Sequence, residues 1–238
     1  MKKHPVLSVM VAVIFLVMPF AASFGQGTDV SADAALKALK DGNERYIVAK
    51  QIHPNAGQDR RTATTVNGQK PIASILSCSD SRVPVEMLFD QGIGDLFVVR
   101  VAGNQANLIE TASLEFGTAV LGTPFLLVMG HTHCGAVVAA IQTAETKGDA
   151  PALLKSIVPA VTEAKKNTPS ATGEALVKAA TQANVWQAIA DLFQSSPTIS
   201  ERVRTGKLKI QGAVYDIETG KVNWMGPHPN QDKLTSSK

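Results

Sequence analysis

The sequence predicts an α/β fold, with a central, mostly parallel sheet flanked by helices, an antiparallel edge strand near the end and an N-terminal helical arm. Three observations carry this. Short apolar runs without alternation recur at 71–76, 96–101 and 124–129, the pattern of strands buried on both faces of a parallel sheet. Helical patterns separate and follow them, which implies right-handed crossovers with helices on the sheet faces. Finally, 208–217 and 222–225 flank Glu218-Thr219-Gly220-Lys221 and read as two strands joined by a tight turn.

Taken in order, residues 1–25 read as an export signal. Lys2, Lys3 and His4 form a basic start, 6–20 are apolar, and the small residues Ala21, Ala22 and Ser23 follow. The apolar stretch is shorter than the roughly 20 residues of a membrane-spanning helix, so a cleaved signal is expected rather than a stable membrane anchor. The expected product is periplasmic or secreted. Ser31 then caps a helix whose apolar residues, from Ala34 and Ala35 through Leu39 to Ile47, fall near a 3.6 period. The polar stretch 51–70 reads as an extended connection. Further helices are expected over 108–121, 136–147, 152–166 and 173–194, and the tail after Gly226 is expected to be loosely held.

Residues 26–238 suit one catalytic domain, since single α/β domains reach this size. With 45% hydrophobic and 18% charged residues, the 238-residue chain can bury a sizeable core. Lys and Arg number 23 against 20 Asp and Glu. Removing 1–25 takes away two lysines and no acid, so 21 basic residues face 20 acidic ones. A net charge of +1 leaves no electrostatic case for a nucleic-acid partner.

The chain has two cysteines, Cys78 and Cys134. They could form one bridge, half of a zinc site, or two inert core residues. An exported pair is more often a disulfide. Position argues for the metal: Cys78 follows the first apolar run, while His131 and Cys134 follow the third, and open parallel sheets bind ligands beyond the carboxyl ends of their strands. Two thiolates and an imidazole are three ligands of a tetrahedral zinc site, and a fourth position left to water or a weak ligand marks catalysis. Asp80 is the candidate for that position. Arg82, two residues on, can grip its carboxylate by paired charge-assisted hydrogen bonds and turn it away. Zinc with two thiolates has zero net charge, so it acidifies water less than a three-histidine site. His133 reads as a positioned or exposed histidine rather than a ligand.

Together, Cys78-Ser79-Asp80-Ser81-Arg82-Val83, Gly94-Asp95-Leu96-Phe97-Val98-Val99-Arg100 and Gly130-His131-Thr132-His133-Cys134-Gly135-Ala136 resemble the β-class carbonic anhydrases, over about 36–225. The resemblance implies one zinc per subunit on Cys78, His131 and Cys134, and a catalytic dyad of Asp80 and Arg82. It implies substrate contacts from Gln69, often across a subunit interface, from Phe97 and from Gly135, with Ala102 replacing a bulkier Val of plant-type sites. The implied reaction is reversible hydration of CO2 to bicarbonate and a proton, in a homodimer or homotetramer. Phe116 stands where many members have Tyr. A bicarbonate-regulated subgroup carries Trp and Gly where this chain has Ile75 and Ser77, so an open site with Asp80 held by Arg82 is expected. The rivals are hydrolysis of carbon disulfide or carbonyl sulfide on the same ligands, and a non-catalytic zinc-binding or disulfide-bonded exported protein.

Overall fold

The computed structural model describes residues 27–146 and 151–236; the expected export signal lies outside them. Five strands form one sheet in the order β2-β1-β3-β4-β5. They are β1 (Ala73–Ser77), β2 (Leu96–Arg100), β3 (Phe125–His131), β4 (Lys209–Tyr215) and β5 (Val222–Gly226). The first four are parallel, and β5 pairs antiparallel with β4 at the edge. β1 and β3 are buried throughout, as expected. β2 is not: it is the opposite edge strand, and its residues are half-buried or exposed. Apolar composition alone does not tell an edge strand from a central one.

Helix α1 (Ala32–Ile47) starts where Ser31 Oγ accepts the Ala34 N–H at 3.2 Å. Its buried face, Ala35, Leu39, Gly42 and Asn43, packs on its own chain. Gly42 is required there because a Cβ would run into the Phe89 carbonyl. Asn43 donates to the Leu88 and Gly220 carbonyls and accepts the Val222 N–H.

The stretch expected to be extended contains α2 (Gln58–Asn67). No α2 side chain is buried, so no apolar period announces it. It is fastened by polar bonds instead: Arg60 Nη2 to Asp95 Oδ1 at 3.0 Å and Arg60 Nε to the Ile93 carbonyl at 2.8 Å. The sequence also gave no sign of the short α3 (Val85–Leu88).

The 108–121 pattern resolves into α4 (Leu108–Glu115) and a π-helical turn, Phe116–Val120. Gly117 lets this turn pass over the sheet, since a Cβ would sit 2.5 Å from Ser74 Oγ and 2.6 Å from Phe97. Helix α5 (Gly135–Thr146) follows. The expected single helix over 152–166 is two, α6 (Ala152–Lys155) and α7 (Val158–Asn167), because Pro159 cannot supply the N–H that a continuous helix needs. The long α8 (Gly173–Ser195) and α9 (Pro197–Arg204) precede the final hairpin. The tail is not loose: α10 (Gln231–Ser236) packs Leu234 against the core, and His228 meets the Trp186 ring edge-on at 5.3 Å.

The sheet separates two apolar clusters. One holds α1 and α3 residues against Ile75, Leu127 and Ala213; the other holds α8 and α9 residues against Leu76, Leu126 and Ile210. A third cluster, built from α5, α7 and the first half of α8, includes Cys78 and Cys134.

Candidate active site

β1 has β2 on one side and β3 on the other, so the chain reverses its direction of winding at the β1/β3 boundary. A crevice beyond the carboxyl ends of the strands is expected there. Cys78 is the first residue after β1, His131 is the last of β3, and Cys134 immediately precedes α5. All three are buried, and their ligand atoms lie within 4.8 Å of one another.

The turn after β3 is tied to β4. Thr132 N–H donates to the Tyr215 carbonyl at 2.9 Å, and Thr132 Oγ1 accepts the Ile217 N–H at 3.0 Å. His133, at φ +57°, then bends the chain so that Cys134 returns toward His131. His131 Nδ1 lies 2.9 Å from the Thr132 carbonyl, an acceptor only, so Nδ1 carries the proton and Nε2 presents its lone pair. Nε2 is buried and has no protein partner.

Cys78 Sγ accepts the N–H of Gly103 at 3.3 Å and of Asp80 at 3.4 Å; Cys134 lies at the start of α5, where the Ala136 and Val137 N–H groups favour its thiolate. Without metal, the neighbouring Cys134 thiol and the Gly103 and Asp80 N–H groups lower the Cys78 pKa against the effect of burial. Cys134 is pushed up because it keeps the shared proton and is buried. One thiolate is therefore ready, and a divalent cation would displace the second proton.

Asp80 is gripped by Arg82. Arg82 Nε and backbone N–H each reach Oδ1 at 2.9 Å, and Nη2 reaches Oδ2 at 2.8 Å. These bonds hold the carboxyl well below the usual carboxylate range. Arg82 Nη2 also donates to the His133 carbonyl at 3.2 Å, joining the two ligand loops. Asp80 Oδ2 stands 3.8 Å from His131 Nε2.

Ala102 and Gly135 lie beside this group, the first next to Gly103 and the second next to Cys134; a Cβ on Gly135 would meet nothing within 4 Å. Gln69 and Phe97 do not. Gln69 precedes β1, with the whole strand between it and Cys78. Phe97 pairs with Ser74, four residues before Cys78, which places it about 13 Å short of the level of Cys78. Three further residues shape the site without having been singled out. Arg100 donates to the Cys78 carbonyl at 3.0 Å and the Asp80 carbonyl at 2.7 Å. Gly103 has just been described, and Asn184 of α8 donates to its carbonyl at 2.7 Å. The position of Arg100 within the 96–101 apolar run, and of Gly103 just beyond it, was available as a signal; Asn184, in an Ala-rich helix, had none.

A cavity of about 770 Å³ opens beside Thr132 and His133, lined also by Thr181, Lys178 and Asp216; none of the three ligands lines it. The ligand cluster is a separate feature. Its donor set suits zinc: two unbridged cysteines, each sulfur relieved by N–H donors, and a buried imidazole nitrogen that no protein group satisfies.

Comparison with known proteins agrees. Residues 73–222 match the family model described as carbonic anhydrase. The chain is 38% identical over 193 residues to carbonic anhydrase 2 of Mycobacterium tuberculosis, covering 79% of this chain and 90% of that one. It is 35% identical to the carbonic anhydrase of Mycolicibacterium smegmatis, covering 79% and 91%. Among solved structures, the β-carbonic anhydrase CcaA superposes with a TM-score of 0.64 at 26% identity, covering 82% and 91%. Tetrameric β-carbonic anhydrases of Sordaria macrospora give 0.60 at 25% identity, covering 71% and 87%. On this family match and these relatives, the chain belongs to the β-class carbonic anhydrase family.

Proposed function

We infer that the chain catalyses the reversible hydration of carbon dioxide to bicarbonate and a proton. The single observation that carries the mechanism is the Asp80–Arg82 pair set against the Cys78, His131 and Cys134 cluster. Zinc, when bound, would lower the pKa of a water and so supply the nucleophile, though less strongly than in a three-histidine site. Cys78, His131 and Cys134 hold it. Asp80 remains a carboxylate throughout the working pH range, so it is an acceptor that orients an O–H group and not the base that carries the proton away. Arg82 fixes both oxygens, and Oδ2 faces the ligand cluster. CO2 is small and uncharged, and the half-buried Ala102 beside the buried Gly103 offers an apolar wall for it.

The test is stopped-flow CO2 hydration with metal analysis. Wild type is expected to carry one zinc per chain and to be active, and Cys78→Ser is expected to lose both. Full activity in that variant overturns the reading, and turnover of carbon disulfide or carbonyl sulfide without CO2 hydration replaces it.

We propose further that the working unit is a homodimer or a larger assembly of dimers whose sites are completed across an interface. Gln69, before β1, and Phe97, on the half-exposed edge strand β2, stand away from the ligands of their own chain. Beside Phe97, with ring centroids 6.1 Å apart, lies Phe116, and Leu108, Ile109 and Val120 add exposed apolar surface on the same helix and π turn. Mixing Gln69→Ala with Cys78→Ser should restore about a quarter of wild-type activity, since random pairing gives half heterodimers with one intact site each. No recovery after confirmed subunit exchange overturns the shared site. Export is proposed from the 1–25 pattern, and a mature N-terminus found near residue 26 in the periplasm or medium supports it.

A further inference from the structure

The two ligand sulfurs obtain their hydrogen bonds by different routes. For Cys134 the favourable N–H groups are those of Ala136 and Val137, in the helix that starts beside it. Cys78 takes one from Asp80 and the other from Gly103, 25 residues further along the chain. Gly103 sits at φ +75° and Asn104 at φ +45°, a local reversal that turns the Gly103 N–H back toward sulfur. A Cβ on Gly103 would lie 2.6 Å from Ile157 Cδ1, so the turn is also tightly packed.

The Gly103 carbonyl points into α8, where Asn184 Nδ2 meets it at 2.7 Å; the same amide lies 3.4 Å from Asn104 Oδ1. Asn184 is 2% exposed and shares the buried face of α8 with Ala180 and Ala188. Asparagine is a poor helix former and costly to bury without a partner, so packing alone does not account for it. Its bond to Gly103 does.

We propose that Asn184 is a positioning residue for the metal centre: by holding the Gly103 carbonyl it keeps the Gly103 N–H on Cys78 Sγ, and so sets how much electron density that sulfur gives to the metal. The inference rests on the zinc reading above. An N–H on a thiolate withdraws density from it. In a site whose two thiolates already cancel the charge of the cation, that withdrawal restores part of the lost Lewis acidity. Asn184 does this from a helix that supplies no ligand.

The test uses full-length protein loaded with cobalt(II), whose thiolate-to-metal charge-transfer absorption reports the sulfur directly. Asn184→Ala removes the donor amide, and Asn184→Leu replaces it with an apolar group of similar size. The control is Asn43→Leu, which breaks an equally buried amide network between α1, α3 and the β4–β5 turn. In both Asn184 variants the band should move to longer wavelength as the sulfur regains density, while zinc affinity measured by chelator competition should fall about tenfold because the freed Gly103 turn must be ordered when the metal binds. Asn43→Leu should lose stability while keeping the wild-type band and affinity. An unchanged band and affinity in the Asn184 variants, or the same change in Asn43→Leu, overturns the proposal. If Asn184→Leu does not fold, Asn184→Ala carries the same comparison. A wild type that binds cobalt without any thiolate band would instead sink the zinc reading itself.

Discussion

The loop after β1 and the turn after β3 bring one thiolate each to the same point, and they are built in opposite ways. Around Cys134 the support is mostly local: the N–H groups come from Ala136 and Val137, and its neighbour Thr132 is tied to the adjoining strand end. Around Cys78 it is assembled from a distance. Arg100 of β2 clamps two carbonyls, Gly103 supplies an N–H, α8 supplies Asn184, and Val101 and Ser77 are joined backbone to backbone. A ligand whose surroundings are local keeps them as long as its helix persists. One whose surroundings are tertiary is adjustable from outside the site, and also easier to damage there.

The sharpest contrast is between two glycines. Gly103→Ala places a side chain at φ +75° and 2.6 Å from Ile157 Cδ1. Left-handed strain of about 1–2 kcal/mol adds to overpacking of about 1–3 kcal/mol, so a loss of several kcal/mol and weakened zinc binding are expected. Gly135→Ala, beside the other cysteine, enters open space in a helical conformation and should change stability by less than about 1 kcal/mol. Urea unfolding of the two variants decides it; equal losses would break the comparison.

A smaller effect is expected from the bonds that frame each loop. Arg100→Met removes the clamp on the Cys78 and Asp80 carbonyls and should weaken zinc binding by about tenfold. Thr132→Val, which removes the acceptor for the Ile217 N–H, should cost about 1 kcal/mol of stability with zinc affinity nearly unchanged. Chelator competition on both variants would expose a metal-binding role of the Thr132 turn if the order were reversed.

The same division explains what was legible in the sequence. The strands were, because β1 and β3 are buried on both sides and read as unbroken apolar runs. The three residues that cluster were also legible, because each stands at a strand end where a parallel sheet gathers its ligands. Helix α2 was not, since Arg60 and Asp95 hold it and no apolar face does. Nor was the half-exposed edge at β2, because composition does not tell an edge strand from a central one. Asn184 was out of reach for a related reason: its meaning depends on a carbonyl 81 residues away.

The last contrast concerns acid. Past the Cys78 loop and α3 lies Asp90, whose side chain is fully buried and accepts from Arg45 Nε at 2.6 Å, Ile52 N–H at 3.0 Å and His53 N–H at 2.9 Å. Burial opposes its ionisation, but the two N–H donors and Arg45 outweigh it, so its carboxyl lies below the ordinary value. A depressed carboxyl contributes stability that is fully present above its unfolded pKa, near 3.9, and is lost as pH falls toward the folded value. This anchor joins the segment following the Cys78 loop to α1, and the Cys134 turn has no carboxylate of this kind among its described bonds. Wild type should therefore be more stable than Asp90→Asn at pH 6, by a margin that shrinks steadily below pH 4. Zinc release in acid affects both proteins and cancels in the difference. Hydrogen exchange should show the margin at the Ile52 and His53 amides and leave Val137 and Val138 alike in the two proteins; a margin that holds constant down to pH 3 would mean that Asp90 acts through packing and not through its charge.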